Sequence, residues 1–214
     1  MKKLQLLIGL TLVAASGIAN AQLSFLQLAT ASRTEVFNNI QGIADKAIGT
    51  SVKLGSLSTG QAGIVTFTYL GQESGYNDKF HLTVNGTDLF ESNPVGTSIS
   101  AQVNSTGLIS FKFEGDAGKF AVNGPMSGWA GGTSIGLIGT NLQVTSGGGQ
   151  GTYAYVLGYN DSAGSASLGD WDDFVVGVNF KVSAIPEPET FAMLLAGLGL
   201  MGFVARRRKQ NQRA

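Results

Sequence analysis

Cysteine is absent from the 214-residue chain, and histidine occurs once, as His81. The lack of cysteine excludes disulfides, thiol catalysis and thiolate metal sites, although a domain of this size can bury a sizeable core without them. Proline is scarce, with four residues against 31 glycines, which favours strands joined by tight turns. The single histidine lies on the polar side of an alternating segment, which is typical of an exposed side chain rather than of a catalytic triad or zinc site.

Positive charge is scarce in the middle of the chain. Between Gln22 and Ile185 there are seven Lys and Arg residues against twelve Asp and Glu residues, which gives this part a net charge of −5. The remaining basic residues are concentrated at the two ends. Nucleic-acid binding requires clustered basic residues that displace counterions, so this distribution argues against a nucleic-acid partner. An acidic centre instead favours solubility and an affinity for cations.

The N-terminal end has the pattern of an export signal. Met1-Lys2-Lys3 is followed by the apolar run "LQLLIGLTLVAA", and Ala19 and Ala21 supply the small residues of a cleavage site. This pattern predicts a signal peptide over residues 1–21, which the export translocon and signal peptidase would process to leave Gln22 as the first residue. A retained anchor or a buried helix is the alternative, but it does not account for the Ala-x-Ala pattern.

The C-terminal end has three parts. Pro186-Glu187-Pro188 is a stiff, extended break, because proline fixes its own φ angle and keeps the preceding residue out of a helix. Residues 191–205 form an uncharged run, for which we predict a single transmembrane helix; at about 22 Å it is shorter than a hydrocarbon core of ~30 Å. The basic cluster 206–209 would stay on the cytoplasmic side, and residues 210–214 form a short tail.

This order of proline-Glu-proline, apolar helix and basic cluster, spanning residues 185–209, resembles the PEP-CTERM sorting signal of exported proteins in Gram-negative bacteria that make extracellular polysaccharide. The resemblance implies that a membrane-embedded exosortase recognises Pro186, Glu187 and Pro188 and removes the tail. It implies a protein that is exported across the inner membrane, transiently anchored there, and then placed on the cell surface or outside the cell. An ordinary single-span anchor is the alternative, but it leaves the Pro-Glu-Pro sequence unexplained.

Residues 22–184 are expected to form one secreted β-domain. Apolar residues alternate along "KFHLTV", which is followed by the hairpin signal Asn85-Gly86, and along the last apolar segment, Phe174 to Val182. Several such short strands without long helices predict an all-β fold, an antiparallel β-sandwich or jelly-roll-like domain. The pattern from Thr34 to Gly49 also predicts a short N-terminal helix, and the C-terminal run predicts a single hydrophobic helix.

Acidic residues are concentrated near two copies of the sequence GYND, at residues 75–78 and 158–161. Carboxylates crowded in flexible loops repel one another unless a cation compensates, and their oxygens are ligands that Ca²⁺ prefers. The turn before the last strand also resembles a motif of some secreted bacterial adhesin-like β-domains. We therefore consider one calcium site built from Asp161, Asp170, Asp172 and Asp173, and a second built from Glu73, Asn77 and Asp78. The alternative is that these side chains only cap turns.

Three functions are compatible with these features. The first is a non-catalytic surface or extracellular-matrix protein that is associated with exopolysaccharide or a biofilm. The second is a lectin-like carbohydrate-binding module, with or without calcium, which would use loop aromatics; the candidates are Trp129, Trp171, Tyr76 and Tyr159. The third is a glycoside hydrolase, which needs a pair of carboxylates at a defined separation, and nothing in the sequence singles out such a pair.

Overall fold

The computed structural model describes residues 23–33, 37, 40–44, 48–161, 169–183 and 188–211. The predicted signal peptide, with Ala19 and Ala21, lies outside the described residues, as do Pro186 and Glu187 of the predicted sorting signal.

The chain forms thirteen strands and one long helix within these ranges. The strands are β1 Leu23–Ser32, β2 Ser51–Thr59, β3 Gly63–Gly71, β4 Lys79–Leu82, β5 Thr87–Phe90, β6 Ser98–Val103, β7 Gly107–Leu108, β8 Lys112–Glu114, β9 Phe120–Val122, β10 Trp129–Ala130, β11 Ser134–Val144, β12 Gly151–Asn160 and β13 Phe174–Val182. The helix α1 spans Pro188–Asn211.

These strands form two antiparallel sheets, which confirms the predicted all-β, sandwich-like fold. The larger sheet has the order β1-β2-β11-β12-β13-β3-β6, with β7 beside β2. The smaller sheet has the order β10-β9-β8-β4-β5. Strands that are neighbours in space are often distant in sequence, as in the pairs β13–β3 and β2–β11.

The main hydrophobic core joins the two sheets and is rich in aromatic rings. Phe67 of the larger sheet contacts Phe80 of the smaller sheet, with ring centroids 4.5 Å apart, and also contacts Phe111 at 5.2 Å. Phe113 on β8 stacks on Tyr159 of β12 with a centroid distance of 5.2 Å and nearly parallel rings. Edge-to-face and offset contacts of this kind stabilise a core beyond the burial of apolar area alone.

A second core involves other residues of the larger sheet. Val156 and Val175 on β12 and β13 pack there together with Trp171, Phe37 and Ile40. The strand β13 is therefore buried on both faces along its first half, because Val176 belongs to the main core. This differs from the predicted pattern, in which only one face of this strand was expected to be the inner, apolar face.

Local predictions agree with the structure in part. The hairpin around Asn85-Gly86 is confirmed, since β4 and β5 pair antiparallel with Leu82 opposite Thr87, and Gly86 has a φ angle of 69°. Strand β4 ends at Leu82, two residues before the predicted end. The predicted N-terminal helix falls partly outside the described residues, and residues 40–44 form a bend and turn rather than a helix.

The helix α1 extends the predicted apolar run of residues 191–205 in both directions. Apolar side chains along it are exposed, including Met193, Leu195 and Leu200. Over the ranges that the structure describes, no helix combines the length and the apolar character needed to cross a membrane. This finding does not support the transmembrane helix that we predicted over residues 191–205.

Candidate functional site

The two copies of GYND meet at one end of the sandwich. The first copy lies in the loop between β3 and β4, whereas the second forms the end of β12 and places Asp161 directly after it. The Ser74 hydroxyl donates a hydrogen bond to Asp161 Oδ2 over 2.9 Å, and the backbone N–H of Tyr76 donates to Ser74 Oγ over 2.9 Å. One serine hydroxyl therefore joins two segments that are far apart in the sequence.

Trp171 anchors the acidic segment 169–173 to the larger sheet. Its side chain is buried, and its Nε1–H donates to Ser134 Oγ over 3.0 Å. A Cβ atom at Gly136 would lie 2.6 Å from Trp171 Cδ1, and one at Gly158 would lie 2.0 Å from the Trp171 carbonyl oxygen. Glycines on two neighbouring strands, β11 and β12, thus leave room for Trp171. Its burial fixes the acidic residues on either side of it in place.

Three carboxylates at this end form what we call the outer carboxylate cluster: Glu73, Asp170 and Asp172. Each offers one oxygen, and these oxygens lie within 4.8 Å of one another. Asp172 is only 2% exposed, Asp170 is half-buried and Glu73 is exposed. The backbone N–H of Glu73 donates to the carbonyl oxygen of Asp172 over 2.9 Å, so that the main chain itself holds the loop after β3 against the segment 169–173.

Four further carboxylates form the inner carboxylate cluster: Asp78, Asp161, Asp173 and Glu91. The backbone N–H of Asp161 donates to Asp173 Oδ2 over 2.7 Å, and that of Asp78 donates to Glu91 Oε1 over 2.8 Å. Asp78, Asp161 and Asp173 are all buried. Each of these two hydrogen bonds satisfies one carboxylate oxygen, and neither brings a basic side chain to the cluster.

Burial in an acidic environment shifts the ionisation of these groups. Burial raises the pKa of Asp78 to about 8, and the nearby carboxylates of Asp161 and Glu91 add to the shift. Burial also raises the pKa of Asp173 to about 8. The pKa of Asp172 is raised by burial and by the adjacent Asp170. Each shift has the direction expected when a carboxylate loses water without gaining a cationic partner.

Several buried oxygen atoms at this end have no hydrogen-bond partner in the described part of the chain. They are both carboxylate oxygens of Asp78, Oδ2 of Asp172 and the hydroxyl of Tyr159. A Cβ atom at Gly115 would lie 2.6 Å from Asp78 Oδ1 and 3.4 Å from the Tyr159 hydroxyl, so the glycine leaves a small space beside these two groups. Unpartnered buried polar groups are uncommon in proteins and each requires an explanation, such as an ion or water.

The predicted calcium ligands lie at the same end of the sandwich but are grouped differently. Asp170 and Asp172 lie together. Glu73 lies with them, although it was predicted to form a separate site with Asp78. Asp161 and Asp173 are joined by a hydrogen bond in the inner carboxylate cluster. Asn77 takes no part in either cluster, because its backbone N–H and its side-chain amide both donate to Asp116, over 3.3 and 3.4 Å. Glu91 and Gly115 were not expected here, since they are remote in sequence from both copies of GYND.

The aromatic residues proposed for carbohydrate binding have different surroundings. Trp171 and Tyr159 are buried, and Tyr159 lies within β12 rather than in a loop. Trp129 is half-buried and its Nε1–H donates to the carbonyl oxygen of Val122 over 3.0 Å. Tyr76 is exposed and lies beside the acidic end, with the Lys119 ammonium 5.0 Å from its ring centroid. Of the four predicted candidates, Tyr76 is the one that offers an exposed ring.

His81 was predicted to be exposed, and this is wrong. It lies on β4 with its side chain half-buried, and its Nδ1 is paired with Asp88 Oδ1 on the neighbouring strand β5. Cross-strand pairing explains the difference, because residues directly opposite each other on two strands have their side chains in contact.

A family profile, described as the PEP-CTERM protein-sorting motif, matches residues 184–209 of the chain. The match confirms the resemblance of the C-terminal end to the PEP-CTERM sorting signal and spans Pro186, Glu187 and Pro188, whose role in recognition stays a prediction. It identifies an exported protein that is sorted by exosortase and held through its C-terminus before cleavage. No curated protein and no solved structure matches the chain.

Proposed function

We propose that this chain is a non-catalytic protein of the cell surface or extracellular matrix, where it is retained in association with exopolysaccharide. The observation that carries the proposal is the PEP-CTERM protein-sorting motif at residues 184–209, attached to a β-sandwich. Signal peptidase, the export translocon and exosortase would be its processing partners. The acidic charge of the sandwich suits a soluble domain outside the cell and favours no nucleic-acid partner.

Mass spectrometry of the mature protein tests the sorting step directly. In cells with exosortase, we expect a chain that has lost the basic cluster 206–209; in an exosortase deletion strain, the chain should still end at Ala214. The variant Glu187→Gln should block processing, whereas the matched control Glu189→Gln, which lies just outside Pro-Glu-Pro, should be processed normally. A mature chain that still ends at Ala214 in cells with exosortase would contradict the proposal.

Retention by polysaccharide is a separate step and needs its own measurement. After mechanical removal of the extracellular material, the processed protein should be recovered with the polysaccharide and be released by enzymes that degrade it. Recovery in the free medium, unaffected by such enzymes, would contradict retention while leaving the sorting step intact. The non-catalytic assignment is tested by incubating the protein with the same polysaccharide, and we expect no new reducing ends.

Direct carbohydrate binding is a second candidate function, and the exposed ring of Tyr76 beside the acidic end favours it. Sugars stack on exposed aromatic rings, and charged groups nearby orient them through hydrogen bonds. If this candidate is correct, Tyr76→Ala should abolish retention on immobilised polysaccharide. Phe120→Ala on β9, which removes another exposed ring, is the matched control and should have no effect.

A further inference from the structure

We propose that the outer carboxylate cluster of Glu73, Asp170 and Asp172 binds a calcium ion, which ties the loop after β3 to the segment before β13. The proposal goes beyond surface delivery, because it assigns a ligand and a structural task to one end of the sandwich.

The geometry of the outer carboxylate cluster suits a single cation. Its three oxygens lie within 4.8 Å of one another. Calcium binds oxygen ligands at about 2.3–2.6 Å, so that two ligands on opposite sides of the ion are about 5 Å apart. Three oxygens already collected within about that span are therefore close enough to converge on the same ion.

Asp172 gives independent support, because it points to a missing partner. The residue is 2% exposed, and its Oδ2 has no hydrogen-bond partner within the described ranges. The bond from the backbone N–H of Asp172 to Asp170 Oδ1, 3.3 Å long, is of the type that caps a turn, and it leaves Asp172 Oδ2 unused. Turn capping therefore accounts for the half-buried Asp170 but not for the buried Asp172, whose unpartnered oxygen a bound cation would satisfy.

The chemistry of the donors favours calcium over other metals. All three side chains are carboxylates, the chain has no cysteine, and its one histidine is paired with Asp88 on β5. Zinc and copper sites are typically built from thiolates and imidazoles, so three carboxylates favour neither metal. Magnesium requires a tight octahedral shell and keeps several waters, whereas calcium accepts an irregular set of 6–8 oxygens, including backbone carbonyls.

The inner carboxylate cluster increases the demand for a cation. Asp173 follows Asp172 directly in the chain, and Asp161 and Asp78 lie behind it. Lys79 and Lys112 form ion pairs with Glu114, which lies outside both clusters. A divalent cation in the outer carboxylate cluster would offset this concentrated negative charge, which otherwise disfavours closing the end of the sandwich.

Export determines when the site is filled. Calcium sites of extracellular modules bind weakly, with dissociation constants on the order of 10⁻⁴ to 10⁻³ M, and are occupied only where calcium is abundant. A chain with such a site would stay empty of calcium in the cytoplasm and bind the ion after export. Binding itself is measured on purified protein, so its test does not depend on the fate of the sorting motif or on polysaccharide.

Calorimetric titration of the full chain with calcium, in mild detergent that keeps α1 in solution, tests the proposal. We expect binding with a dissociation constant on the order of 10⁻⁴ to 10⁻³ M, weaker binding of magnesium, and a higher unfolding temperature in calcium than in EDTA. Terbium provides a second readout, because Trp171 lies between two of the ligands and should sensitise terbium luminescence that calcium then quenches by competition.

Glu73→Gln is the decisive variant, since Glu73 is exposed and glutamine keeps the size of its side chain while removing the charge. It should weaken calcium binding at least tenfold, and Asp172→Asn should do the same. The matched control Asp88→Asn removes a carboxylate on β5 outside both clusters and should bind calcium like the unmodified chain. Absence of calcium binding up to about 5 mM, well above the expected dissociation constant, would overturn the proposal, as would normal binding by Glu73→Gln.

Discussion

Two regions of the sandwich differ in how their buried groups find partners: the aromatic core between the sheets, and the acidic end. In the core, Phe67, Phe80, Phe111 and Phe113 contact one another with centroid distances from 4.5 to 6.1 Å, so these apolar rings have their partners within the protein. At the acidic end, buried carboxylates face other carboxylates. Tyr159 marks the border, because its ring stacks on Phe113 while its hydroxyl lies near Asp78.

This contrast shows that a buried region can still depend on dissolved ions for its stability. The aromatic core is stabilised by contacts within the chain, so its contribution to stability should be the same in calcium and in EDTA. The acidic end has raised carboxylate pKa values and unpartnered oxygens, so its contribution should depend on what is dissolved around it. Comparing unfolding in calcium and in EDTA separates the two regions.

The largest effect is expected from Phe113→Ala in the aromatic core. The change removes contacts with Phe80, Tyr159 and Phe174 and leaves a cavity, which should lower the free energy of unfolding by about 4 kcal/mol. Urea denaturation should give the same loss in calcium and in EDTA. A loss that appears in only one of the two buffers would mean that the aromatic core is not independent of the acidic end.

Asn123→Ala should give the next largest loss, about 3 kcal/mol, again independent of calcium. The Asn123 side chain is buried; its Nδ2 donates to the carbonyls of Leu57 and Ile109, and its Oδ1 accepts from the Leu57 N–H, each over 2.7 Å. Alanine would remove these partners from the Leu57 N–H and the Ile109 carbonyl, whereas the Leu57 carbonyl would still accept from the Ile109 N–H over 3.2 Å. Asn104→Ala at an exposed position is the control, and its denaturation midpoint should stay within error of the unmodified chain.

Asp172→Asn at the acidic end should have an effect that depends on the buffer. With calcium tenfold above its dissociation constant, binding contributes about 1.4 kcal/mol to stability, and the variant should lose most of it. In EDTA the variant should unfold at nearly the same denaturant concentration as the unmodified chain, since no ion is lost. Equal losses of unfolding free energy in both buffers would show that the contribution of Asp172 does not depend on calcium, like that of the aromatic core.

Tyr159→Phe should give the smallest effect and tests the border itself. The change keeps the ring stacked on Phe113 and removes a buried hydroxyl that has no partner within the described residues. In EDTA, the free energy of unfolding from thermal denaturation should stay the same or rise by up to about 1 kcal/mol, because the change removes an unsatisfied polar group. A loss above about 1 kcal/mol in EDTA would show that the hydroxyl has a partner after all.

Much of the fold follows from local sequence patterns, whereas the grouping at the acidic end does not. Alternating apolar residues predicted the strand Phe174–Val182, and Asn85-Gly86 predicted the β4–β5 hairpin, because both depend on neighbours in the chain. Glu73 meets Asp170 because β3 pairs with β13 and the Glu73 N–H donates to the Asp172 carbonyl, and no local sequence spacing indicates that contact. The order of the strands in the sheet therefore determines which carboxylates lie close together.

Trp171 shows a second reason for an error. An aromatic residue between acidic neighbours, in a segment without strand alternation, indicates an exposed loop. Its burial depends on Gly136 and Gly158, which are placed on adjacent strands so that no side chain fills the space above them. A glycine in a strand often marks a close approach of another group, but the sequence does not state which group approaches.

The position of β13 has a consequence for the timing of folding. It is the last strand in sequence, yet it lies between β12 and β3 inside the larger sheet. During export the sheet must therefore remain in two separate parts until residue 182 has crossed the membrane, and pairing between such distant strands is intrinsically slow. Only five residues separate β13 from α1, a reach of at most about 18 Å. The larger sheet therefore cannot be completed before the chain has emerged almost as far as its sorting motif.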